Sequence, residues 1–491
     1  MKGVSMETIT YEKAMELGKD YKIIPIAKEI YADIITPISL LRKIETKCNK
    51  FFLLESVEGS EKWARYSFLG LNPVMQISLK DGVCTVDDEG KLTKTEVGHD
   101  AYKVLREILD EYKSCRIKGL PSFTGGFVGY FSYEMIGYAE PKLELKKNDC
   151  DDFNLYLFDD VICYDHFRQK IIVISNMKAK EGKFGYDKAL KDIDAIIDMI
   201  KEDVELPVHT NTEPVEFICN ETKEEYCNIV TKTKKYIYEG DIFQGVLSRK
   251  FKAKYEGSLL NAYRYLRTTN PSPYMYFLQM DDMQIAGASP ETLVKLEDGK
   301  LTTFPVAGSR PRGKTDEEDI ALEKELLQDA KELSEHNMLV DLGRNDIGKI
   351  SKFGTVKVKD YMSIHRFSKI MHIASTVEGE IRDEYDALDA ISALLPAGTL
   401  SGAPKFRACQ IINELEKEAR GVYAGAIGYI DLNGNLDVCI GIRTAVKKGN
   451  EVVVQAGAGL VYDSVEETEY IETANKAGAI IEAITRAGEV M

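Results

Sequence analysis

The sequence predicts an α+β protein, on two observations. Long apolar periodicities of helical spacing fill much of the second half, and near the C-terminus three short strands are joined by tight turns, as in an antiparallel meander. In chain order, a charged helical stretch lies near 187–203. The run Leu206-Pro-Val-His-Thr-Asn-Thr-Glu-Pro214 follows, with two prolines and no periodicity, and reads as a linker. This divides the chain into a region 1–215 and a region 216–491. Past the linker, Thr222 and Glu225 have capping-box spacing. Tyr226, Ile229, Val230, Thr233 and Ile237 then recur on one helical face up to Gly240, which suits a C-terminal cap. From Asp241 the pattern turns to strand through Phe251. The meander comprises 425–430, a turn at Asn433-Gly434, 436–446, a turn at Gly449-Asn450, and 451–459. Within it Arg443 shares a strand face with Cys439 and Gly441. Gly457 and Gly459 also alternate onto one face, marking either close approach by a ligand or backbone, or a sheet corner or bulge. Ser464 and Glu467 again have capping-box spacing. They open a last helix carrying Glu469, Glu472 and Lys476 on one side.

A chain of 491 residues has length for a large core and two domains. Its net charge, 64 − 80 = −16, argues against nucleic-acid and anionic-membrane partners. An anionic substrate would have to be drawn in by local Arg, Lys or metal charge. Nine scattered cysteines without a Cys-x-x-Cys fit reduced thiols. The N-terminus lacks an apolar signal region, and no apolar run is long enough for a bilayer, so a cytoplasmic location is expected.

Two Glu-x-x-Glu pairs carry the clearest chemical suggestion: Glu332 with Glu335, and Glu469 with Glu472. Residues three apart share a helix face, so each pair directs two carboxylates the same way. An isolated pair of this kind is ordinarily a solvated face. Here Met338-Leu339-Val340 and Tyr470-Ile471 show that both helices pack against something. If the helices face each other, four carboxylates meet, and hard oxygen ligands suit Mg²⁺ with open positions for water and an anionic substrate. Spacing alone leaves both readings.

Several runs then arrive in a fixed order: Phe304-Pro-Val-Ala-Gly-Ser-Arg-Pro-Arg-Gly313, 332–346, Leu395-Pro-Ala-Gly-Thr-Leu-Ser-Gly-Ala-Pro-Lys405, Gly425-Ala-Ile-Gly428, Gly441-Ile-Arg-Thr444 and Gln455-Ala-Gly-Ala-Gly459. Together they resemble the chorismate-utilising enzymes, most closely the anthranilate synthase large subunits, and they cover nearly all of the chain from about residue 220. The resemblance implies two antiparallel sheets packed near-orthogonally with flanking helices and the site in a cleft. It implies Mg²⁺ on Glu335 and Glu472, with Glu332 and Glu469 holding bound waters. It implies Arg443 as the clamp on a substrate carboxylate, further contacts from Tyr423, Gly457, Gly459, Lys476 and Gly308, and a hydrogen bond from Thr399. Glu291, in Gly287-Ala-Ser-Pro-Glu291, matches the acid that protonates the departing C4 hydroxyl of chorismate, a role that needs a raised pKa. His372 matches the family's active-site histidine and is assigned to loss of the C2 proton. Read alone, it would be a satisfied core histidine.

Two positions separate members of the family. Gln244 stands where isochorismate and salicylate synthases carry a water-activating lysine. Ala307 stands where one type of aminodeoxychorismate synthase carries a nucleophilic lysine. With neither lysine, ammonia is the expected nucleophile at C2 and anthranilate the expected product. A 4-amino-4-deoxychorismate synthase large subunit is the alternative, and a catalytically silent sensing subunit a more distant one. In the first region, Leu53-Leu-Glu-Ser56 and Glu61-Lys-Trp-Ala-Arg-Tyr-Ser67 look like the tryptophan-feedback segment, whose spatial partner matches Asn270-Pro-Ser-Pro-Tyr-Met275. Leu54, Ser56, Pro273, Tyr274 and Met275 offer an apolar slot and polar groups for that inhibitor. Residues 1–215 are thus expected to be regulatory and 216–491 to form the chorismate-binding core. The sequence has no Gly-x-Cys-x-Gly nucleophile elbow, so a separate glutamine amidotransferase subunit is expected, in a hetero-oligomer.

Overall fold

The computed structural model describes residues 8–33, 35–57, 65–207, 214–366 and 370–490. Most of the expected linker, 208–213, and the first part of the 61–67 segment, 61–64, lie outside them. The described chain forms two large antiparallel sheets of twelve strands each, with helices packed on them. The α+β expectation therefore holds.

Both sheets draw strands from both sides of residue 215. In the first, Phe51–Glu55 lies between Tyr66–Leu71 and Tyr274–Met280, and the order continues through Met283–Ser289, Thr444–Lys448 and Glu451–Leu460 to Gln244–Lys254. In the second, Gly126–Phe131 pairs with Ala426–Asp431, followed by Leu436–Ile440, Thr292–Glu297, Lys300–Thr303 and Ile370–Glu380. The division at 215 marks a place in the chain, whereas the sheets run across it. Between the sheets sits an aromatic core in which Phe52, Phe68 and Tyr276 meet Tyr156, Ile427, Tyr429 and Cys439. Edge-on rings such as Phe52 against Phe158, with centroids 4.7 Å apart, fill it in the geometry aromatic quadrupoles favour.

Local signals and tertiary outcome agree at Lys223–Tyr238. This helix begins with the Thr222–Glu225 capping box and stops before Gly240, which takes φ +85°. They differ in two places. The stretch read as one strand over 436–446 is two, Leu436–Ile440 in the second sheet and Thr444–Lys448 in the first, joined by a corner at 441–443. Gly441 is required there, because a Cβ would stand 2.2 Å from the Val422 carbonyl oxygen. Arg443 takes φ +48° as the chain changes sheets. Hence Arg443 does not share a strand face with Cys439; it projects from a corner. The second difference is at Glu466–Thr485, where the helix forms with Val465 as N-cap and no side-chain cap bond. Ser464 Oγ instead accepts from the Val461 amide at 3.1 Å.

All nine cysteines are unpaired thiols. No helix among the described residues is long and apolar enough to cross a membrane.

Candidate active site

The expected substrate-handling residues converge where the two sheets exchange strands. Glu291 immediately precedes the Thr292–Glu297 strand, and its Oε1 accepts a 2.9 Å hydrogen bond from Thr399 Oγ1. Burial raises its pKa to about 7. The Thr399 hydroxyl and the charges of Arg443 and Lys476 pull the other way without overcoming it. A carboxyl in that condition can still hold a proton near neutral pH and give it up. The Arg443 side chain reaches solvent, yet surrounding protein lowers its pKa, with Glu291 acting in the opposite sense. Both observations describe a guanidinium projecting into a cleft, where low-dielectric walls strengthen its pull on an anion.

His372 lies on Ile370–Glu380, and its Nδ1 is 3.1 Å from the Gly308 carbonyl oxygen. A carbonyl only accepts, so Nδ1 carries the hydrogen and Nε2 keeps its lone pair. Burial lowers the His372 pKa to about 4, and the positive field of Arg443 adds to this. The imidazole is thus neutral at physiological pH. Gly308 sits in a bulge opposite His372 with φ +74°, and a Cβ on it would approach Glu332 Oε2 to 3.1 Å. A side chain there would be strained and would crowd that carboxylate.

Gly457 and Gly459 owe their identity to side chains crossing them. A Cβ on Gly457 would stand 2.7 Å from the Tyr423 hydroxyl, and one on Gly459 2.6 Å from Gln244 Nε2. Lys476 Nζ donates to the Gly457 carbonyl at 3.1 Å and pairs with Glu472 at 2.8 Å. Gln244 is buried and hydrogen-bonds to Glu335, while its Oε1 finds no protein partner.

The two acidic pairs lie on two separate helices, Ala330–Gly348 and Glu466–Thr485. Glu332 and Glu335 sit on Ala330–Gly348, whose N-cap Asp329 is held by Arg310 at 2.8 Å. Glu335 is raised by burial and by the charge of Glu332, Glu469 by burial and by Glu472, and Lys331 and Lys476 act on both. Shared cations at both pairs put the helices within one electrostatic neighbourhood. Among the described residues no three acidic, His or Cys side chains are gathered tightly enough to cage a metal. A Mg²⁺ ion held by two carboxylates, with water and substrate oxygens completing its shell, needs no such cage. Hard carboxylate oxygens, with Glu335 raised by burial and by the neighbouring Glu332, suit that ion.

A cavity of about 690 Å³ lies apart from Glu291, between the sheets. Leu54, Ser56, Pro273, Tyr274 and Met275 all line it, with Phe68, Tyr429 and both signs of charge at its wall. Glu55, at its edge, is buried and accepts from Arg267 and Tyr263, each at 2.6 Å. Sequence reading missed Glu55, and it also missed a buried pair that ties three chain segments together. Arg420 binds Glu416 at 2.5 Å and donates to the carbonyls of Leu400 and Val246, each at 2.6 Å. Glu416 also accepts from Ser248, which accepts from Gln455. No local pattern marks such a pair, because its members meet only through the fold. Arg420→Met is expected to destabilise the protein by about 3–5 kcal/mol, since Glu416 is left buried and unpaired. An unchanged midpoint in urea unfolding would contradict this.

A half-buried carboxyl in the field of an arginine in a cleft, with Lys476 between it and Glu472, suits a small organic anion. The chain belongs to the chorismate binding enzyme family, which it matches over residues 50–482. It is 46% identical to anthranilate synthase component 1 of Acetivibrio thermocellus, over 98% of this chain and 99% of that one. With anthranilate synthase component 1 of Aquifex aeolicus it shares 43% identity over 98% of each. The crystal structure of anthranilate synthase component I from Streptococcus pneumoniae superposes with a TM-score of 0.77 at 37% identity, covering 92% of this chain and 98% of that one. Within the family, the chain therefore groups with the anthranilate synthase component 1 proteins, and these relatives do not favour the aminodeoxychorismate alternative.

Proposed function

We propose that this chain converts chorismate and ammonia to anthranilate, pyruvate and water in the cytoplasm. Mg²⁺ is its cofactor, a separate glutamine amidotransferase subunit its ammonia source in a hetero-oligomer, and tryptophan its inhibitor. The observation that carries the reading is Glu291, a carboxyl held near neutral pKa between Thr399 and Arg443. Region 216–491 supplies this chemistry and region 1–215 one side of the inhibitor cavity.

Arg443 takes one substrate carboxylate through its planar fork. Glu335 and Glu472 would hold Mg²⁺, with Glu332 and Glu469 reaching it through water. Held there, the ion would supply Lewis-acid charge to offset that of the substrate's ring carboxylate. Glu291 gives its proton to the C4 hydroxyl, which leaves as water while ammonia forms the new C–N bond at C2; the ammonium so formed releases a proton to solvent, from which Glu291 is reprotonated. Gln244 Oε1, an unpartnered buried acceptor, suits an incoming N–H donor. An amide there and alanine at position 307 supply neither a base for water nor a lysine nucleophile. In the second step His372 Nε2 takes the C2 proton, the C3–O bond breaks, the ring becomes aromatic, and protonation of the released enolpyruvate gives pyruvate. Besides burial, the field of Arg443 depresses the His372 pKa, and a bound carboxylate would cancel that field and strengthen the base.

The test is a product assay with the purified chain, chorismate, Mg²⁺ and ammonium. Anthranilate and pyruvate in equal amounts are expected, with glutamine inactive unless the partner is added. Aminodeoxychorismate as the product would overturn the reading.

A further inference from the structure

Two tyrosines in the wall of the 690 Å³ cavity are tied to the chain neighbours of Arg443 and Glu291. One row of the first sheet runs from the cavity to the Arg443 corner: Leu54 opposes Tyr276, Tyr276 opposes Gly287, and Gly287 opposes Thr444. The Tyr276 ring lies over Gly287, where a Cβ would stand 2.5 Å from its Cζ and hydroxyl. The phenol thus passes over a residue without a side chain, and its hydroxyl meets Thr444 Oγ1 at 2.5 Å. Thr444 Oγ1 donates its one proton to the Ile442 carbonyl at 2.9 Å, so Tyr276 is the donor. Thr444 and Ile442 flank Arg443, and this bond closes the corner that holds the guanidinium.

The second tyrosine makes a parallel connection. Tyr274 gives its proton to Asp437 Oδ1 at 2.8 Å and accepts from Thr292 Oγ1 at 2.8 Å. Thr292 follows Glu291 directly. Both rings are walls of the cavity on one side and hydrogen-bond partners of the site's backbone on the other. A ligand seated against Leu54 and Met275 therefore touches the elements that fix the carboxylate clamp and the acid.

We infer that Tyr276 and Tyr274 are positioning residues, through which occupancy of the cavity sets the Arg443 corner and the Glu291 strand end. The inference rests on reading the cavity as the tryptophan site. Coupling requires that the ligand prefer one arrangement of the rings over another, and chorismate then reports the preference as a changed affinity.

The test uses the full chain with chorismate, Mg²⁺ and ammonium. Tryptophan binding is measured directly by calorimetry, and chorismate KM and kcat are measured with and without saturating tryptophan. In Tyr276→Phe, tryptophan affinity should stay within about threefold of the parent, while the tryptophan-induced rise in KM shrinks at least about fivefold. Thr444→Val removes the acceptor of the same bond and should do the same. The double variant should add nothing further, because the two changes delete one interaction. A merely structural role would leave the ratio of KM with and without tryptophan intact, and that result in both single variants overturns the inference alone. A parent protein that binds no tryptophan would overturn the reading of the cavity and this inference with it.

Discussion

Glu291→Gln should lower kcat by about 10²–10⁴-fold while leaving chorismate KM nearly unchanged. The amide has the shape of the acid and can still accept from Thr399 Oγ1, so the loop geometry survives. What it lacks is a proton to give to the C4 oxygen, and hydroxide is a poor leaving group without one. Burial is the main cause of the raised Glu291 pKa, and a bound dianion would raise it further by like-charge repulsion. The sign of the pH dependence follows. The protonated form is the active one, so with free ammonia held constant kcat/KM, which reports the free enzyme, should be full at acidic pH and fall as pH rises through about 7, with kcat falling at higher pH still. In Glu291→Gln that descending limb should vanish. Stopped-flow measurement of anthranilate fluorescence across roughly pH 5–9, about two units on either side of the acid's pKa, would check both points. A variant with parental kcat, or with the limb intact, would remove Glu291 from the acid's role.

Glu335→Gln is expected to cost at least about 100-fold in Mg²⁺-dependent turnover, more than loss of an outer-sphere partner usually does. In the folded chain Glu335 is raised by burial and by Glu332, and Lys476 is paired with Glu472 at 2.8 Å. A divalent cation would relieve the first strain and displace the lysine from the second. Binding can be read apart from activity: Mg²⁺ should raise the melting temperature of the parent chain by mass action and leave that of the variant unchanged. Tryptophan binding, in a cavity lined by other residues, should be unaffected. Equal stabilisation of both proteins by Mg²⁺ would exclude Glu335 as a ligand.

The residues that the sequence singled out were those whose signal is local or whose order along the chain is informative. Glu332 and Glu335, or Glu469 and Glu472, share a face because a helix repeats every 3.6 residues, and that needs no knowledge of the fold. The Thr222 cap likewise depends on four consecutive residues. Glu291, Thr399 and Arg443 were found through ordered motifs, whereas their meeting in one cleft is visible only in space. Tyr423 and Gly457 illustrate the same limit, since a glycine on a strand does not say which side chain fills its place.

By itself, then, the amino-acid sequence determined the α+β class, the helices that carry the acidic pairs, and a family membership spread over most of the chain. Periodicity, capping chemistry and residue identity are all properties of the linear chain. Only the tertiary structure decided that 436–446 breaks at Gly441 and changes sheets, because a strand's alternation reads the same whichever sheet receives it. It alone decided that regions 1–215 and 216–491 share both sheets, that Arg420 is neutralised by Glu416, and that Tyr276 reaches Thr444 across Gly287. Each of those depends on which distant strands lie side by side. That choice is made by the burial of whole faces, summed over the core, and no short stretch of sequence contains it.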